Sequence, residues 1–177
     1  SIILTSIANG ASKIKNILKS EDVMHTLNSF KQMGVKIEQE NDLVTVYGNG
    51  LNSLKKPGKD LYLGNSGTSA RLLTGLLASQ NFDTIITGDK SLSSRPMERI
   101  SDPLKQMQAS IDTTNGFLPM IIHGKKLVNS SIEISIPSAQ IKSGLILAAL
   151  NTEGQTSIIE NNITRDHTEI MLKALGG

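Results

Sequence analysis

The run Leu63-Gly64-Asn65-Ser66-Gly67-Thr68-Ser69-Ala70-Arg71 decides how this chain is read. A short apolar strand, Leu61 to Leu63, enters two glycines, an Asn and three hydroxyl residues, and a helical run over Leu72 to Ala78 follows at once. The first backbone N–H groups of a helix have no partner within it, so a strand that ends where a helix begins offers donors to an anion. Glycine lets the backbone come close to a ligand, and Ser or Thr caps the helix or donates. Arg71, one turn in, offers a two-pronged donor for phosphate or carboxylate. An ordinary capped helix has the same pattern, so the surrounding chain has to decide between the two.

Working outward, the chain repeats itself. Phe30-Lys31-Gln32-Met33-Gly34, Leu104-Lys105-Gln106-Met107-Gln108 and Leu172-Lys173-Ala174-Leu175-Gly176 each close an amphipathic helical pattern, their lysines 74 and then 68 residues apart. That period predicts a repeated supersecondary unit. The first unit, about 1–50, reads as a helix over Ile2 to Ala8, a strand over Ser12 to Leu18, a helix over Glu21 to Met33, and strands over Val35 to Glu40 and Leu43 to Tyr47. Asn41-Asp42 is the turn between the last two.

The second unit, about 51–124, repeats the order. It has a helix over Ala70 to Ser79, a strand over Asp83 to Thr87, a helical stretch over Pro96 to Met107, and strands over Ala109 to Thr113 and Leu118 to His123. Pro103 predicts a kink or break in that helical stretch. The third unit, about 125–177, has a strand over Ser131 to Ile136, a helix over Ala139 to Leu150, a strand over Thr156 to Glu160 and a helix over Asp166 to Leu175. It stops where the other two continue into a strand pair, and position 1 is a Ser inside a helical pattern. The sequence is therefore expected to be a piece of a longer protein, cut at both ends.

Further junctions of the same kind stand at equivalent places. In Gly88-Asp89-Lys90-Ser91-Leu92-Ser93-Ser94-Arg95-Pro96, Ser94 is expected to cap, Pro96 to lie in the first helical turn and Arg95 to project beside it. Ser138-Ala139-Gln140 opens a helix after Pro137. In Thr164-Arg165-Asp166-His167-Thr168-Glu169, Thr164 or Asp166 with Glu169 resembles a capping box. Taken singly, each has a structural explanation: Ser138 caps, Gln140 is surface, Arg165 pairs with Glu160 or Asp166, and His167 caps or lies at the surface. Together they are expected to line one rim and converge on a shared anion.

Composition narrows the classes. Eighteen basic residues divide into 14 Lys and four Arg (Arg71, Arg95, Arg99 and Arg165), and a chain that otherwise favours Lys keeps Arg where a rigid fork matters. Net charge is +2 with the lysines scattered, and aromatics are 3% with no Trp, which argues against a nucleic-acid surface. Without Cys there are no disulfides or thiolate metal sites, and His25, His123 and His167 lack metal-ligand spacing. No apolar run reaches membrane-spanning length and no signal-peptide pattern is present, so a cytoplasmic location is expected.

Four motifs in order, LGNSGTSAR, GDKSLSSRPM, SAQIKSGLILAAL and TRDHTEIMLKALG, resemble those of the 5-enolpyruvylshikimate-3-phosphate synthase family, the 3-phosphoshikimate 1-carboxyvinyltransferases. The resemblance runs through nearly the whole chain. It implies an α/β (α+β) fold of βαβαββ units, three to a domain, with helices packed inside against small sheets. Residues 1–177 would be most of the N-terminal domain of a two-domain enzyme whose site lies between the domains. It implies transfer of the enolpyruvyl group of phosphoenolpyruvate to the 5-hydroxyl of shikimate 3-phosphate with release of phosphate, in aromatic amino acid biosynthesis, with no metal or organic cofactor.

Carried over by residue, the resemblance places phosphoenolpyruvate against Gly67, Arg95 and Gln140. Shikimate 3-phosphate falls to Ser138, Ala139, Gln140 and Arg165, with Asn65, Thr68 and Arg71 in support. The family's Lys-Ser…Arg segment would lie before Ser1, and the C-terminal domain, with the proton-transfer groups, would be a missing partner. No catalytic residue is therefore assigned within the chain, which is expected not to turn over alone. Two alternatives stand beside this: the sister transferase acting on UDP-N-acetylglucosamine, which lacks the GNSGTSAR turn and SAQ triplet, and a non-catalytic ligand-binding half-domain.

Overall fold

A computed structural model describes residues 1–176. Helix α1 (Ile2–Ile7) leads into strand β1 (Asn9–Lys15), and helix α2 (Glu21–Gln32) into the hairpin β2 (Lys36–Glu40) and β3 (Leu43–Asn49). Asn41 turns that hairpin with φ 52°, a left-handed conformation that Asn tolerates. The three strands form an antiparallel sheet in the order β1-β3-β2. β1 starts and ends three residues earlier than the sequence predicts. Its register with β3 pairs Asn9 with Asn49, and the apolar Ile17-Leu18 that extended the expected strand lies beyond it, Leu18 being exposed.

After a 3₁₀ turn at Leu51–Ser53 come β4 (Leu61–Tyr62), α3 (Gly67–Ala78), β5 (Thr84–Thr87), α4 (Lys90–Ser93), α5 (Glu98–Lys105), β6 (Ser110–Thr114) and β7 (Phe117–His123). Their sheet has the order β4-β5-β7-β6, parallel between β4 and β5 and antiparallel elsewhere. Three predicted details differ. Ser94 does not cap the helix after Pro96: it closes α4, which Asp89 caps through Oδ1 accepting from Leu92 N–H at 2.7 Å, and α5 follows Met97 with no side-chain cap. Pro96 precedes α5, whose first residue is Glu98, so it is outside the helical turn assigned to it. Nor does Pro103 break α5. The helix runs two residues further, with Ile100 and Leu104 buried and Gln106 N–H bonded to Pro103 O.

The last elements are β8 (Ser131–Ile134), α6 (Ala139–Ala149), β9 (Ser157–Glu160) and α7 (His167–Ala174), with β8 and β9 parallel. Parallel neighbours need a crossover, and α3 and α6 supply it for β4–β5 and β8–β9. Both helices are covered nearly all round: Leu73, Leu76 and Leu77 of α3 and Leu145 and Ala148 of α6 are fully buried. Burial of each such leucine stabilises the fold by about 1.5–3 kcal/mol.

α3 and α6 run in the same direction. Thr68 and Gln140 are hydrogen-bonded at their N-terminal ends, and Asn151 Nδ2 donates to Ser79 O at their C-terminal ends. Between these points the backbones touch: a Cβ added to Gly75 would lie 1.8 Å from Gly144 O. Only glycine allows this approach. One turn back from the crossing, Arg71 of α3 and Gln140 of α6 come side by side, so the packing of the two helices sets the geometry of the rim.

Candidate functional site

The sequence run that opens α3 begins the helix earlier than expected, at Gly67, with Ser66 as the cap. A directed chain of hydroxyls fixes this end. Ser69 N–H donates to Ser66 Oγ at 3.3 Å, Ser66 Oγ donates to Ser69 Oγ at 2.8 Å, Ser69 Oγ lies 2.5 Å from Thr26 Oγ1, and Thr26 Oγ1 donates to Asp22 O at 2.8 Å. Since Thr26 spends its proton on Asp22, Ser69 must be the donor between them. Gly67 N–H bonds to Asn65 O, and Thr68 N–H has no partner among the described residues.

Arg71 is buried to 9% exposure, yet it has no carboxylate partner among the described residues. Its Nη1 donates to Gly67 O and to Gln140 Oε1, both at 3.1 Å, and its Nη2 to Pro96 O at 3.4 Å. Burial, then the positive charges of Arg95 and Arg99, hold its pKa below the ordinary value. A buried cation surrounded by neutral acceptors and two further cations is a place that favours an incoming anion. Arg95, on the surface side, donates from Nη2 to Asn65 Oδ1 at 2.6 Å. The tips of both arginines crowd Gly67, whose added Cβ would lie 2.8 Å from Arg71 Nη1 and 3.0 Å from Arg95 Nη1.

Gln140 is held at both ends of its amide, accepting from Arg71 and donating from Nε2 to Thr68 Oγ1 at 2.9 Å. Thus Asn65, Gly67, Thr68, Arg71, Arg95 and Gln140 form one connected group, in which Arg71 supports rather than faces solvent. Beside it, Ser138 caps α6, its Oγ accepting from Ile141 N–H at 3.4 Å; this leaves Ala139 N–H and Gln140 N–H without partners among the described residues. Arg165 stands opposite, across a cavity of about 240 Å³ that it lines together with Thr68, Ala139, Gln140 and His167. All the residues singled out in the sequence therefore meet at the end of the molecule where α3 and α6 begin.

The second junction differs from its expected chemistry. Asp166 precedes α7 but makes no side-chain cap, and Thr164 Oγ1 donates to Glu160 Oε1 at 2.5 Å, so no capping box forms. Arg165 pairs with neither Glu160 nor Asp166. The sequence reading missed the residue behind this. Lys142, whose side chain is 8% exposed, reaches Glu160 Oε2 at 2.8 Å and Glu169 Oε1 at 2.7 Å. Burial alone would lower the Lys142 pKa, but the two carboxylates outweigh it and raise it. Glu160 is likewise lowered against its own burial by bonds from Lys142 and Thr164. The signal available in the sequence was a lone Lys in the apolar pattern of SAQIKSGLILAAL.

Fold and rim together define a mixed α/β protein of small-sheet units in which two parallel helix N-termini and unpaired arginines surround an anion-sized cavity. The family model described as EPSP synthase (3-phosphoshikimate 1-carboxyvinyltransferase) matches residues 1–177, and the chain belongs to that family. It is 52% identical over 177 residues to the 3-phosphoshikimate 1-carboxyvinyltransferase of Ruthia magnifica subsp. Calyptogena magnifica, with 99% of this chain and 41% of the relative covered. To that of Streptococcus gordonii it is 48% identical over 180 residues, covering all of this chain and 42% of the relative. Among solved structures, an EPSP synthase from Acinetobacter baumannii superposes with a TM-score of 0.95 at 48% identity, covering 98% of this chain and 40% of that one. The chain thus spans about 41% of the length of the first curated relatives it matches.

Proposed function

We propose that this chain, as one domain over 1–177, forms half of the site at which the enolpyruvyl group of phosphoenolpyruvate is transferred to the 5-hydroxyl of shikimate 3-phosphate. The observation that supports this most is the pair of helix N-termini facing arginines that have no carboxylate partner. In the reaction the 5-hydroxyl oxygen adds to C2 of phosphoenolpyruvate, and loss of phosphate from the tetrahedral intermediate restores the double bond. The chain's share is electrostatic positioning. Gly67, Arg95 and Gln140 receive phosphoenolpyruvate; Ser138, Ala139, Gln140 and Arg165 receive shikimate 3-phosphate. Fixing two anions against preorganised donors contributes several kcal/mol to lowering such a barrier.

Gln140, locked between Arg71 and Thr68, lies where both ligands are reached. Asn65 holds Arg95 toward Gly67, and the absence of a side chain at Gly67 lets the Arg71 and Arg95 guanidinium groups close against its backbone. Proton transfer belongs to the rest of the protein, a second domain closing over this rim, and the reading carries a cytoplasmic location with it. Among the described residues no helix is long and apolar enough to cross a membrane. Calorimetry tests the assignment: the chain is expected to bind shikimate 3-phosphate and not UDP-N-acetylglucosamine, and to release no phosphate when given both substrates alone. Binding of the UDP-sugar supports the sister activity, and binding of neither supports an inert scaffold.

A further inference from the structure

Arg165 is flanked in sequence by carboxylates. Glu160 lies five residues before it, Asp166 next to it and Glu169 four residues after it, in the first turn of α7. An exposed arginine in such company ordinarily forms an ion pair. Among the described residues it forms none, and both Glu160 and Glu169 are turned instead to the buried Lys142 ammonium of α6. Thr164 Oγ1 takes the remaining Glu160 oxygen, and the second Glu169 oxygen is buried without any partner. Ser143 Oγ, next to Lys142, bonds Thr168 Oγ1 at 2.7 Å and ties the same turn of α6 to α7.

From this arrangement we propose that Lys142 is a positioning residue that keeps Arg165 free for a phosphate monoester by occupying the two carboxylates that would otherwise capture it. The proposal rests on the shikimate 3-phosphate reading above for the identity of the ligand. Its physical content is a competition. Lys142 reaches the carboxylates from the core side, where desolvation strengthens the pairing, whereas Arg165 would meet them at the solvent edge, where an ion pair stabilises little. The lysine therefore wins, and the arginine keeps its fork open toward the cavity shared with Ala139 and Gln140.

Calorimetry with shikimate 3-phosphate separates this from a merely structural role. In Lys142→Met the affinity is expected to fall about tenfold, the worth of one charge-assisted hydrogen bond. Lys142→Arg, which keeps a cation, is expected to stay within about threefold of the parent. The deciding variant is Lys142→Met with Glu160→Gln and Glu169→Gln: with the captors gone, the lysine is no longer needed and affinity returns to within about threefold. A tenfold loss in this triple variant, or parental affinity in a folded Lys142→Met, overturns the proposal; the triple variant decides the matter alone if Lys142→Met does not fold. The Arg165 side-chain Nε–Hε resonance reads the same competition without ligand, and is expected to shift in Lys142→Met and not in the triple variant. Failure of the parent chain to bind shikimate 3-phosphate would count against the substrate reading, while an unshifted Arg165 resonance in Lys142→Met would count against the role of Lys142.

Discussion

The junctions before α3 and before α7 read alike in sequence, each with hydroxyls, an arginine and a helix start, yet they handle charge in opposite ways. At α3 the arginine is buried, bonded only to neutral oxygens of Gly67, Gln140 and Pro96, and left without a counter-ion. At α7 the arginine is exposed and unbonded, while a buried lysine from the neighbouring helix binds the local carboxylates. Among the described residues, the first site is cationic because no carboxylate pairs with its arginine, the second because Glu160 and Glu169 are already occupied by Lys142. An anion site is therefore recognised by what its cations lack, and a basic residue near a helix start is informative only once its carboxylate neighbours are accounted for.

The largest expected effect removes what the two junctions share. Gly75→Ala drives a Cβ into the Gly144 carbonyl and pushes α3 from α6, so thermal denaturation should show a loss of at least about 3 kcal/mol. A loss under about 1 kcal/mol would mean that the crossing does not set the rim. Next come the arginines themselves. Arg71→Leu leaves Gln140 Oε1 and Gly67 O without their donor and should cost about 2–3 kcal/mol of stability. Arg165→Leu should leave stability within about 0.5 kcal/mol and weaken shikimate 3-phosphate binding about tenfold. Equal stability losses in the two variants would erase the distinction between them.

Smaller effects sharpen each side. Thr26→Val removes the acceptor for Ser69 and should cost about 1 kcal/mol by chemical denaturation, with Thr26→Ser restoring it. The pH response should be confined to the α7 side. The Glu160 carboxyl is held below the ordinary carboxylate range, so its contribution to stability is present above about pH 4.3 and is lost as pH falls through its folded value. Amide protection factors, taken against the intrinsic exchange rate at each pH, should fall in the Thr164–Glu169 segment on acidification before those in Gly67–Arg71, whose hydrogen bonds involve no carboxylate. Simultaneous loosening of both segments would contradict the charge account.

Much of this was legible in the sequence, because the informative signals were local. The helix-closing patterns, strand runs such as Leu43 to Tyr47, and the Asn41-Asp42 turn each act over a few residues, and the recurrence of the closing lysines 74 and then 68 residues apart marks the units. The gathering of Asn65, Gly67, Thr68, Arg95 and Gln140 was legible only through motif order. What stayed hidden depends on contacts distant in sequence: the Thr26–Ser69 bond spans 43 positions, and the Lys142 cluster joins α6 to the β9–α7 turn. Ser94 is a good capping residue by type, yet it closes the short helix α4 that Asp89 caps, and α5 begins after Met97 without a side-chain cap. Only the tertiary path, with Met97 N–H bonded to Gly116 O, decides where that helix begins.

The central claim is that anions enter where α3 and α6 begin. The opposite end of the same two helices offers a larger cavity of about 420 Å³, lined by Asn52, Ser79, Asn151 and the Lys126–Glu153 ion pair, where the helix C-terminal carbonyls disfavour negative charge. Titration of the ¹⁵N-labelled chain with shikimate 3-phosphate distinguishes the ends in one experiment. The account predicts amide shifts at Thr68, Ala139, Gln140 and Arg165 with none at Asn52 or Asn151. Shifts at the far end, or none anywhere at millimolar ligand, would contradict it.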